Sequence, residues 1–229
     1  FSVSHIANAF RYMQQSRHIG KIVVSIHGQD APVRPPLAEQ SLKFRNDGTY
    51  LITGGLGGFG LATAQWLVEH GARHLVLVGR RGAASPEAQL AVDSMEQAGA
   101  QVMVAKVDVT QEQQVAELLL KVRQSLPPLR GVFHTAMVLE DSIVLQLNEE
   151  LLKKVMNPKV IGAWNLHAQT LDAPLDFFVL YSSITSLFGN PGQGNYVAAN
   201  AFLDAMAHYR RAMGRPALTI NWGALAEVG

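Results

Sequence analysis

From Thr49 onward, stretches with the pattern of a β-strand alternate strictly with stretches that have the spacing of an α-helix. The strand-like stretches are continuous apolar runs, which are typical of strands buried on both faces. Strict alternation of such strands with helices predicts an α/β fold built on a doubly wound parallel sheet. The predicted strands cover residues 50–53, 74–78, 102–107, 131–134, 177–181 and 218–221.

Several residues mark the expected ends of the helices in this region. Ser85 and Asn148 are placed as N-caps, and Thr110 with Gln113 has the spacing of a capping box. Pro158 lies inside the long helix after the fourth strand and is expected to interrupt it, because proline lacks the N–H that a helix interior needs.

The composition excludes several classes of function. Of the 229 residues, 19 are basic and 18 are acidic, so a general electrostatic affinity for nucleic acid or anionic lipid is not expected. The sequence contains no cysteine, which excludes disulfides and thiol catalysis and fits a reducing cytoplasm. No apolar run approaches the roughly 20 residues that span a bilayer. The eight histidines lack metal-ligand spacing, so no metal site is expected.

Residues 1–27 form a separate short segment. Apolar residues at helical spacing predict a helix that Gly20 ends, and residues 21–26 have the pattern of a strand. One helix and one strand cannot bury a core of their own. Residues 28–48 are rich in proline and are expected to be an interdomain linker, so the main domain is predicted over residues 49–229.

A glycine-rich loop follows the first predicted strand and opens the first predicted helix. Its pattern is G-x-G-x-x-G, preceded by one more glycine, and a dinucleotide site requires it at this position. Glycines let the backbone approach a pyrophosphate, and the helix N-terminus offers free N–H groups to its charge. The alternative is a tight strand–helix connection without a ligand. The candidate cofactor residues are Gly54, Gly55, Leu56, Gly57, Gly58, Phe59 and Gly60.

The residues after the second strand indicate which dinucleotide would bind. A site for NAD has a carboxylate at this position, whereas a 2′-phosphate requires arginine. Arg80 and Arg81 stand there without a carboxylate, which favours NADPH over the alternative of a solvated surface pair. Asp108, after the third strand, could accept a hydrogen bond from the adenine amino group or could simply form a turn.

A group of polar residues falls where such sheets place their sites. Tyr196 and Asn200 share one helix face, and Ser182 and Ser183 end the fifth strand at its carboxyl edge. With Lys159, they offer a phenol, hydroxyls and an ammonium that could deliver a proton to a carbonyl. Taken singly, each of these residues could equally be structural.

The stretch from Thr49 to Gly229 resembles the catalytic subdomain of the ketoreductase domains of type I polyketide synthases and animal-type fatty acid synthases. These domains belong to the short-chain dehydrogenase/reductase superfamily, so the resemblance implies a Rossmann-type fold. The segments that carry it are TYLITGGLGGFG (49–60), LVLVGRRG (75–82), GVFHTAMVLED (131–141), NPKVIGAWNL (157–166), YSSITSLFGNPGQGNYVAANAFLDA (181–205) and INWGALAEVG (220–229).

The resemblance assigns a role to each member of the polar group. Tyr196 would donate a proton to the ketone oxygen, Ser183 would hydrogen-bond that oxygen, and Lys159 would help the tyrosine to release its proton. Asn200 stands where other short-chain dehydrogenases carry lysine and would orient Lys159 or a water. The family's cofactor contacts fall on Val109, His134, Thr135, Ala136, Lys159 and Tyr196.

The implied reaction is the NADPH-dependent reduction of a β-ketoacyl thioester to the β-hydroxyacyl thioester. The substrate would be carried on the phosphopantetheine of an acyl carrier protein domain within a multidomain synthase. Leu139, Glu140 and Asp141 resemble the signature of B-type members, which form the R-configured alcohol, and Phe188 and Pro191 also fit that type. Met137 stands where many members have glycine and is expected to line the substrate pocket.

The resemblance extends beyond the main domain. Residues 1–27 look like the C-terminal tail of the enoyl reductase domain that precedes a ketoreductase, so the neighbouring synthase domains are expected partners. The family's lid helix and last strand would follow Gly223 and are missing from this chain. Two alternatives remain: a non-catalytic domain that binds NADPH, and a free-standing short-chain dehydrogenase of small ketones or alcohols.

Overall fold

The structure is a computed structural model that describes residues 1–16, 18–25 and 43–224. Six parallel strands form one sheet in the main unit of the chain. The predicted doubly wound sheet of Rossmann type is therefore confirmed. The strands are β1 (Thr49–Thr53), β2 (His74–Gly79), β3 (Gln101–Lys106), β4 (Leu129–His134), β5 (Phe177–Ser183) and β6 (Leu218–Trp222), and their order in the sheet is β3-β2-β1-β4-β5-β6.

Helices connect successive strands, as parallel pairing requires. The order of the strands reverses between β1 and β4, so the carboxyl ends of these two strands open a crevice where ligands bind in sheets of this kind. The helices are α1 (Ile6–Gln14), α2 (Gly58–Glu69), α3 (Pro86–Gln97), α4 (Glu112–Ser125), α5 (Glu149–Gln169), α6 (Thr185–Phe188) and α7 (Gly194–Ala212).

Both faces of the sheet are buried, which explains the continuous apolar runs in the sequence. Leu51 and Val76 point to the face covered by α4, α5 and α7. Tyr50 and Leu75, their neighbours along the strands, point to the face covered by α2 and α3. The strands β1, β2, β4 and β5 therefore each contribute side chains to two separate cores, which together hold the carboxyl edge of the sheet in place.

The local signals for helix ends were correct in part. Ser85 and Asn148 cap α3 and α5 by accepting hydrogen bonds from backbone N–H groups in the first turn. The capping box was wrong, because the Thr110 hydroxyl donates to Asp108 and α4 begins after Gln111 without a side-chain cap. The interruption at Pro158 was also wrong, since α5 continues through it as one helix.

The chain divides into two compact units, residues 1–41 and 42–229. In the first unit, α1 is present but ends at Gln14, before Gly20. The predicted strand over 21–26 was wrong in its described part, where Ser25 forms only an isolated bridge with Ser2. Ile26 and most of the predicted linker, residues 28–42, lie outside the described residues.

The described part of the chain contains no helix with both the length and the apolar character that a bilayer span needs.

Candidate active site

The loop between β1 and α2 uses its glycines for two different purposes. Gly54 has a φ of +70°, and a Cβ there would lie 2.8 Å from Thr135 Oγ1. At Gly60 a Cβ would collide with the carbonyl oxygen of Gly54. At Gly57 and Gly58, by contrast, a Cβ would meet nothing within 4 Å. The first pair therefore allows close packing, and the second leaves the backbone open to a ligand.

The first turn of α2 is available to bind an anion. Gly57 is the N-cap of this helix and supplies no side-chain hydrogen bond to the free N–H groups behind it. A cleft of about 960 Å³ opens in front of them. Its lining includes the glycine loop together with Arg80, Arg81, Asp108, Val109, Thr110, Thr135, Ala136, Met137 and Val138.

Two guanidinium groups lie at the end of the cleft that β2 supplies. Arg80 and Arg81 follow the last residue of β2, and both are exposed. Within the described ranges, neither forms an ion pair with a carboxylate. Both side chains are therefore available to an anionic group bound in the cleft.

Asp108 does form a turn, and it also borders the cleft. Its Oδ1 accepts hydrogen bonds from the backbone N–H of Thr110 at 2.9 Å and from the Thr110 hydroxyl at 2.8 Å. The carboxylate keeps further acceptor sites, because each of its oxygens can accept more than one hydrogen bond. The two interpretations of this residue from the sequence are thus compatible.

Four of the candidate cofactor residues are not among those that line the cleft: Gly55, His134, Lys159 and Tyr196. Gly55 and His134 lie behind its surface. A Cβ on Gly55 would point inward, to within 2.8 Å of the Ile52 carbonyl oxygen. His134 is fully buried, and its Nδ1 lies 2.7 Å from Thr53 Oγ1. Burial, together with a smaller effect of the nearby Lys159 charge, lowers the pKa of His134 to about 3, so the ring is neutral. Gly55 and His134 therefore pack on the inner side of the loop between β1 and α2.

Lys159 is the most unusual cation in this region. Its side chain is only 2% exposed, and its Nζ donates a 2.7 Å hydrogen bond to the backbone carbonyl oxygen of Tyr181 on β5. The same Nζ lies 5.4 Å from the centroid of the Tyr196 ring on α7. Burial lowers the pKa of Lys159 to about 7, and the Asp204 carboxylate opposes this effect.

Tyr196 and Asn200 lie one turn apart on α7, as their spacing predicts. The Asn200 Nδ2 donates to the backbone carbonyl oxygen of Tyr196 at 2.9 Å. Its Oδ1 is buried and has no hydrogen-bond partner in the part of the chain that the structure describes. A buried amide oxygen without a donor is costly, so this atom is a site for an ammonium or a water.

The two serines at the end of β5 have different neighbours. The Ser183 Oγ accepts hydrogen bonds from the N–H and the hydroxyl of Thr185, at 3.2 and 3.0 Å. Its own proton is therefore free to be donated elsewhere. The Ser182 Oγ instead donates to the Asn200 carbonyl oxygen at 3.3 Å, which connects β5 to α7.

The segment of Leu139, Glu140 and Asp141 is hydrogen-bonded to the loop that precedes Tyr196. The Asp141 carboxylate accepts from Gln193 Nε2 at 3.1 and 3.2 Å. The Glu140 carbonyl oxygen accepts from Asn195 Nδ2 at 2.9 Å, and its carboxylate pairs with Lys154 at 2.5 Å.

The remaining candidate substrate residues are apolar and exposed to different degrees. Met137 lines the cleft and is partly exposed, and Leu139 is half exposed. Phe188, at the end of α6, is 81% exposed, and Pro191 also faces solvent. Large exposed apolar side chains of this kind suit contact with an apolar partner or ligand.

Two residues of the site were not identified from the sequence. Asp204 lies four residues after Asn200 on α7, and Asn221 lies at the carboxyl end of β6. Their side chains are joined by hydrogen bonds of 3.1 and 3.2 Å. The helical spacing from Tyr196 through Asn200 to Asp204, and the position of Asn221 at the sheet's carboxyl edge, were the signals that could have pointed to them.

Comparison with known proteins identifies the family of this domain. The KR domain family matches residues 48–227, which include the whole sheet and every residue of the polar group. The chain belongs to the ketoreductase domain family. It is therefore an oxidoreductase of the β-ketoacyl reductase class, and ketoreductase domains are nicotinamide-dependent enzymes.

The chain is also similar to parts of much longer curated synthases. The chain is 44% identical over 227 residues to reducing polyketide synthase PKS1 of Cochliobolus heterostrophus and 40% identical over 231 residues to compactin diketide synthase mlcB of Penicillium citrinum. These matches cover 99% and 100% of this chain. The chain spans only 9% of the length of either curated relative.

Solved ketoreductase structures share the fold. An A-type ketoreductase from a modular polyketide synthase superposes with a TM-score of 0.79 at 39% identity, over 85% of this chain and 42% of that one. The first ketoreductase of the tylosin synthase gives a TM-score of 0.74 at 40% identity, over 82% and 42% of the two chains.

Proposed function

We propose that this ketoreductase domain reduces a β-ketoacyl thioester on an acyl carrier protein to the β-hydroxyacyl thioester, with NADPH as the reductant. A reduced nicotinamide supplies the hydride that reaches the β-carbon, and a proton from the protein completes the alcohol. The observation that carries the proposal is the buried Lys159 ammonium, which contacts β5 and lies 5.4 Å from the Tyr196 ring. Lys159 directly follows Pro158, which lines the cleft.

The residues of the cleft fit a phosphorylated dinucleotide. The open backbone at Gly57 and Gly58 and the uncapped N-terminus of α2 would hold the pyrophosphate. Arg80 and Arg81 would bind the 2′-phosphate, and β2 ends without the carboxylate that a ribose 2′-hydroxyl requires. The chemistry of this donor set favours NADPH over NADH.

Tyr196 is the proposed proton donor to the ketone oxygen. Its phenol would be left as an anion after transfer, and the ammonium of Lys159 stabilises that charge from within a buried environment. The Lys159 side chain must therefore be protonated at the moment when Tyr196 transfers its proton to the ketone oxygen. Because burial lowers the pKa of Lys159 to about 7, the state of this residue is sensitive to pH near neutrality.

Ser183 and Asn200 complete the proposed set. The Ser183 oxygen already accepts two hydrogen bonds from Thr185, so its proton can be donated to the ketone oxygen. The buried Oδ1 of Asn200 can accept from Lys159 or from a water that passes a proton to it. Loss of either side chain would misplace the substrate oxygen or the ammonium rather than remove the acid.

We also infer that the product is the R-configured alcohol of the B type. The inference is supported by Leu139, Glu140 and Asp141 and by Phe188 and Pro191, which lie on segments beside Tyr196. Similarity to solved structures does not distinguish the types, because one similar structure is itself described as A-type.

The partners follow from the proposed place of the domain in a synthase. A carrier protein would present the thioester, and residues 1–27 would be the end of an enoyl reductase domain, joined through residues 28–48 to the ketoreductase over 49–229. Similarity to polyketide synthases over 99–100% of this chain supports that arrangement.

One assay tests these points together. The domain is mixed with a β-ketoacyl-pantetheine thioester and either NADPH or NADH, and the product is resolved by chiral chromatography. We expect turnover with NADPH and the R alcohol. Absence of reduction with both nicotinamides would overturn the proposed reaction, and the S alcohol would overturn the B-type inference alone.

A further inference from the structure

We propose that Asp204 is a positioning residue of the reduction, whose carboxylate fixes the end of β5 that carries Ser183 and whose charge acts on the buried Lys159. The inference rests on the proposed roles of Lys159 and Ser183. It assigns a function to a carboxylate that lies on α7, eight residues beyond Tyr196.

The Asp204 carboxylate is held entirely by hydrogen-bond donors. Its Oδ2 accepts from the Ser186 hydroxyl at 2.6 Å, and its Oδ1 accepts from the Thr219 hydroxyl at 2.8 Å. The Asn221 Nδ2 lies 3.2 and 3.1 Å from the two oxygens. Burial raises the pKa of Asp204, but these hydrogen bonds, Ser186 first, bring it below its usual value. The group is therefore an anion at neutral pH.

Asn221 extends this arrangement to the candidate active site. Its Nδ2 lies 3.2 Å from the Ser182 Oγ and 3.3 Å from the Ser183 carbonyl oxygen, in addition to its contact with Asp204. The Nδ2 also lies 2.9 Å from the Ser186 Oγ. An amide nitrogen has only two hydrogens, and the Asp204 carboxylate is the one charged acceptor among these neighbours, so we infer that it governs how the amide is oriented. Asp204 thus fixes the backbone at Ser183 through Asn221, and α6 through Ser186.

The charge of Asp204 matters because Lys159 is buried without a direct carboxylate partner. The titratable residues that contact Lys159 or act on its charge in the described ranges are Tyr181 on β5, Tyr196 and Asp204 on α7, and His134 on β4. His134 is neutral, and Tyr181 contributes its backbone carbonyl. Asp204 is the anion that opposes the effect of burial on the pKa of Lys159.

Removal of this charge therefore affects protonation as well as structure. In Asp204→Asn, the side chain keeps its size and can still hydrogen-bond, but the negative charge is lost. We expect the pKa of Lys159 to fall by about 0.5–1 unit, because an opposite charge nearby favours the charged form. On the alkaline side of the pH profile, kcat/KM should then begin to decline at a pH that is lower by the same amount.

The test compares Asp204→Asn with two variants of the ketoreductase domain. Asp172→Asn removes the same charge from an exposed site, and Thr219→Val removes one hydrogen bond while the carboxylate remains. The pKa of Lys159 is followed by NMR of its labelled ε-carbon, assigned by its loss in Lys159→Met. The pH profile of kcat/KM is measured with a β-ketoacyl-pantetheine thioester.

We expect only Asp204→Asn to shift both the titration of Lys159 and the alkaline limb of the pH profile of kcat/KM. An unchanged Lys159 titration in a folded Asp204→Asn variant would overturn the role of the charge, whatever the activity. Equal shifts in Asp172→Asn would overturn its specificity. The NMR readout needs no turnover, so failure of the proposed reaction would be recognised separately.

A further variant covers the case in which Asp204→Asn does not fold. Asp204→Glu retains the charge but displaces the carboxylate from Ser186 and Thr219. We expect it to keep the wild-type Lys159 titration and alkaline limb while kcat falls at least about tenfold, because the end of β5 is no longer held in place. Wild-type kcat, or a shifted titration, would contradict the proposal.

Discussion

The Lys159 Nζ donates a 2.7 Å hydrogen bond to the carbonyl oxygen of Tyr181, two residues before Ser183. This bond joins α5 to the end of β5 and holds a cation in the interior of the domain. An ammonium that is only 2% exposed costs free energy to bury, so we expect it to serve the chemistry of the domain rather than its stability.

Replacement of Lys159 by methionine should therefore separate stability from activity. Lys159→Met removes the buried charge but keeps an apolar chain of similar length, and we expect reduction to fall at least 100-fold. The free energy of unfolding at pH 7 should rise by about 1–3 kcal/mol, because the desolvation cost is removed. Urea unfolding and a ketone-reduction assay measure the two effects, and a destabilised variant would contradict the expected sign.

Removal of the Tyr196 hydroxyl should abolish proton transfer and leave cofactor binding intact. We expect Tyr196→Phe to lower kcat by about 10²–10⁴-fold, the usual contribution of a positioned acid. Affinity for NADPH, followed by fluorescence titration, should change less than about twofold. Tyr209→Phe, an exposed change on the same helix, is the matched control. Turnover retained by Tyr196→Phe would refute the assignment.

The two arginines after β2 should determine the choice of cofactor. Arg80→Ala removes a guanidinium from the cleft, so NADPH should lose at least about tenfold in affinity while NADH is little affected. Arg211→Ala changes an exposed arginine at the end of α7 and should alter neither affinity. Equal losses for NADPH and NADH in Arg80→Ala would mean that this side chain does not contact the 2′-phosphate.

Two glycines of the loop should respond differently to alanine. Gly60→Ala forces a Cβ against the Gly54 carbonyl oxygen, so it should destabilise the fold by about 1–3 kcal/mol. Gly57→Ala has open space at its Cβ and an extended backbone, so it should fold normally. It should still weaken dinucleotide binding, since the new methyl group faces the cleft. Thermal unfolding and cofactor titration distinguish the two outcomes.

Stability should fall in acid because His134 is buried and neutral. Its folded pKa of about 3 lies below the unfolded value of 6.5, so the unfolded state binds more protons between these limits. The free energy of unfolding should therefore decrease by about 1.4 kcal/mol per pH unit per group as the pH falls from 6.5 toward 3. Burial also lowers the pKa of His167, which adds to the loss.

Urea midpoints measured from pH 7 to pH 4 would show this slope. His208 is exposed, so His208→Gln is the control and should leave the slope unchanged. In His134→Asn, which keeps a polar partner for Thr53, the slope should decrease. A midpoint that does not vary with pH in the wild-type domain would contradict the buried neutral state.

Much of the fold was predictable because each strand is a continuous apolar run between helices with defined ends. Ser85 and Asn148 act through local hydrogen bonds that depend only on neighbouring residues, so their spacing sufficed. The prediction that Pro158 interrupts α5 was wrong because the packing of this helix against its neighbours outweighs one missing backbone hydrogen bond. The strand expected over 21–26 also failed, since its pairing depends on residues distant in the sequence.

The candidate site was predictable only in its residue types. Helical spacing relates Tyr196 to Asn200, whereas the approach of Lys159 to β5 depends on how two helices pack on the sheet. The contact between Asp204 and Asn221 joins residues from α7 and β6, and neither residue carries a local signal. That these residues come together in one site was implied by the resemblance to a family, because their pattern in the sequence alone did not establish it.

The hydrogen bonds that join Asp141 to Gln193 and Glu140 to Asn195 have a practical consequence for engineering. An exchange of residues 139–141 alone, made to reverse the handedness of the alcohol, would break contacts with the turn that leads into Tyr196. Such a chimera would lose rate along with selectivity. Grafts that transfer residues 139–142 and 190–195 together should keep Tyr196 in its position.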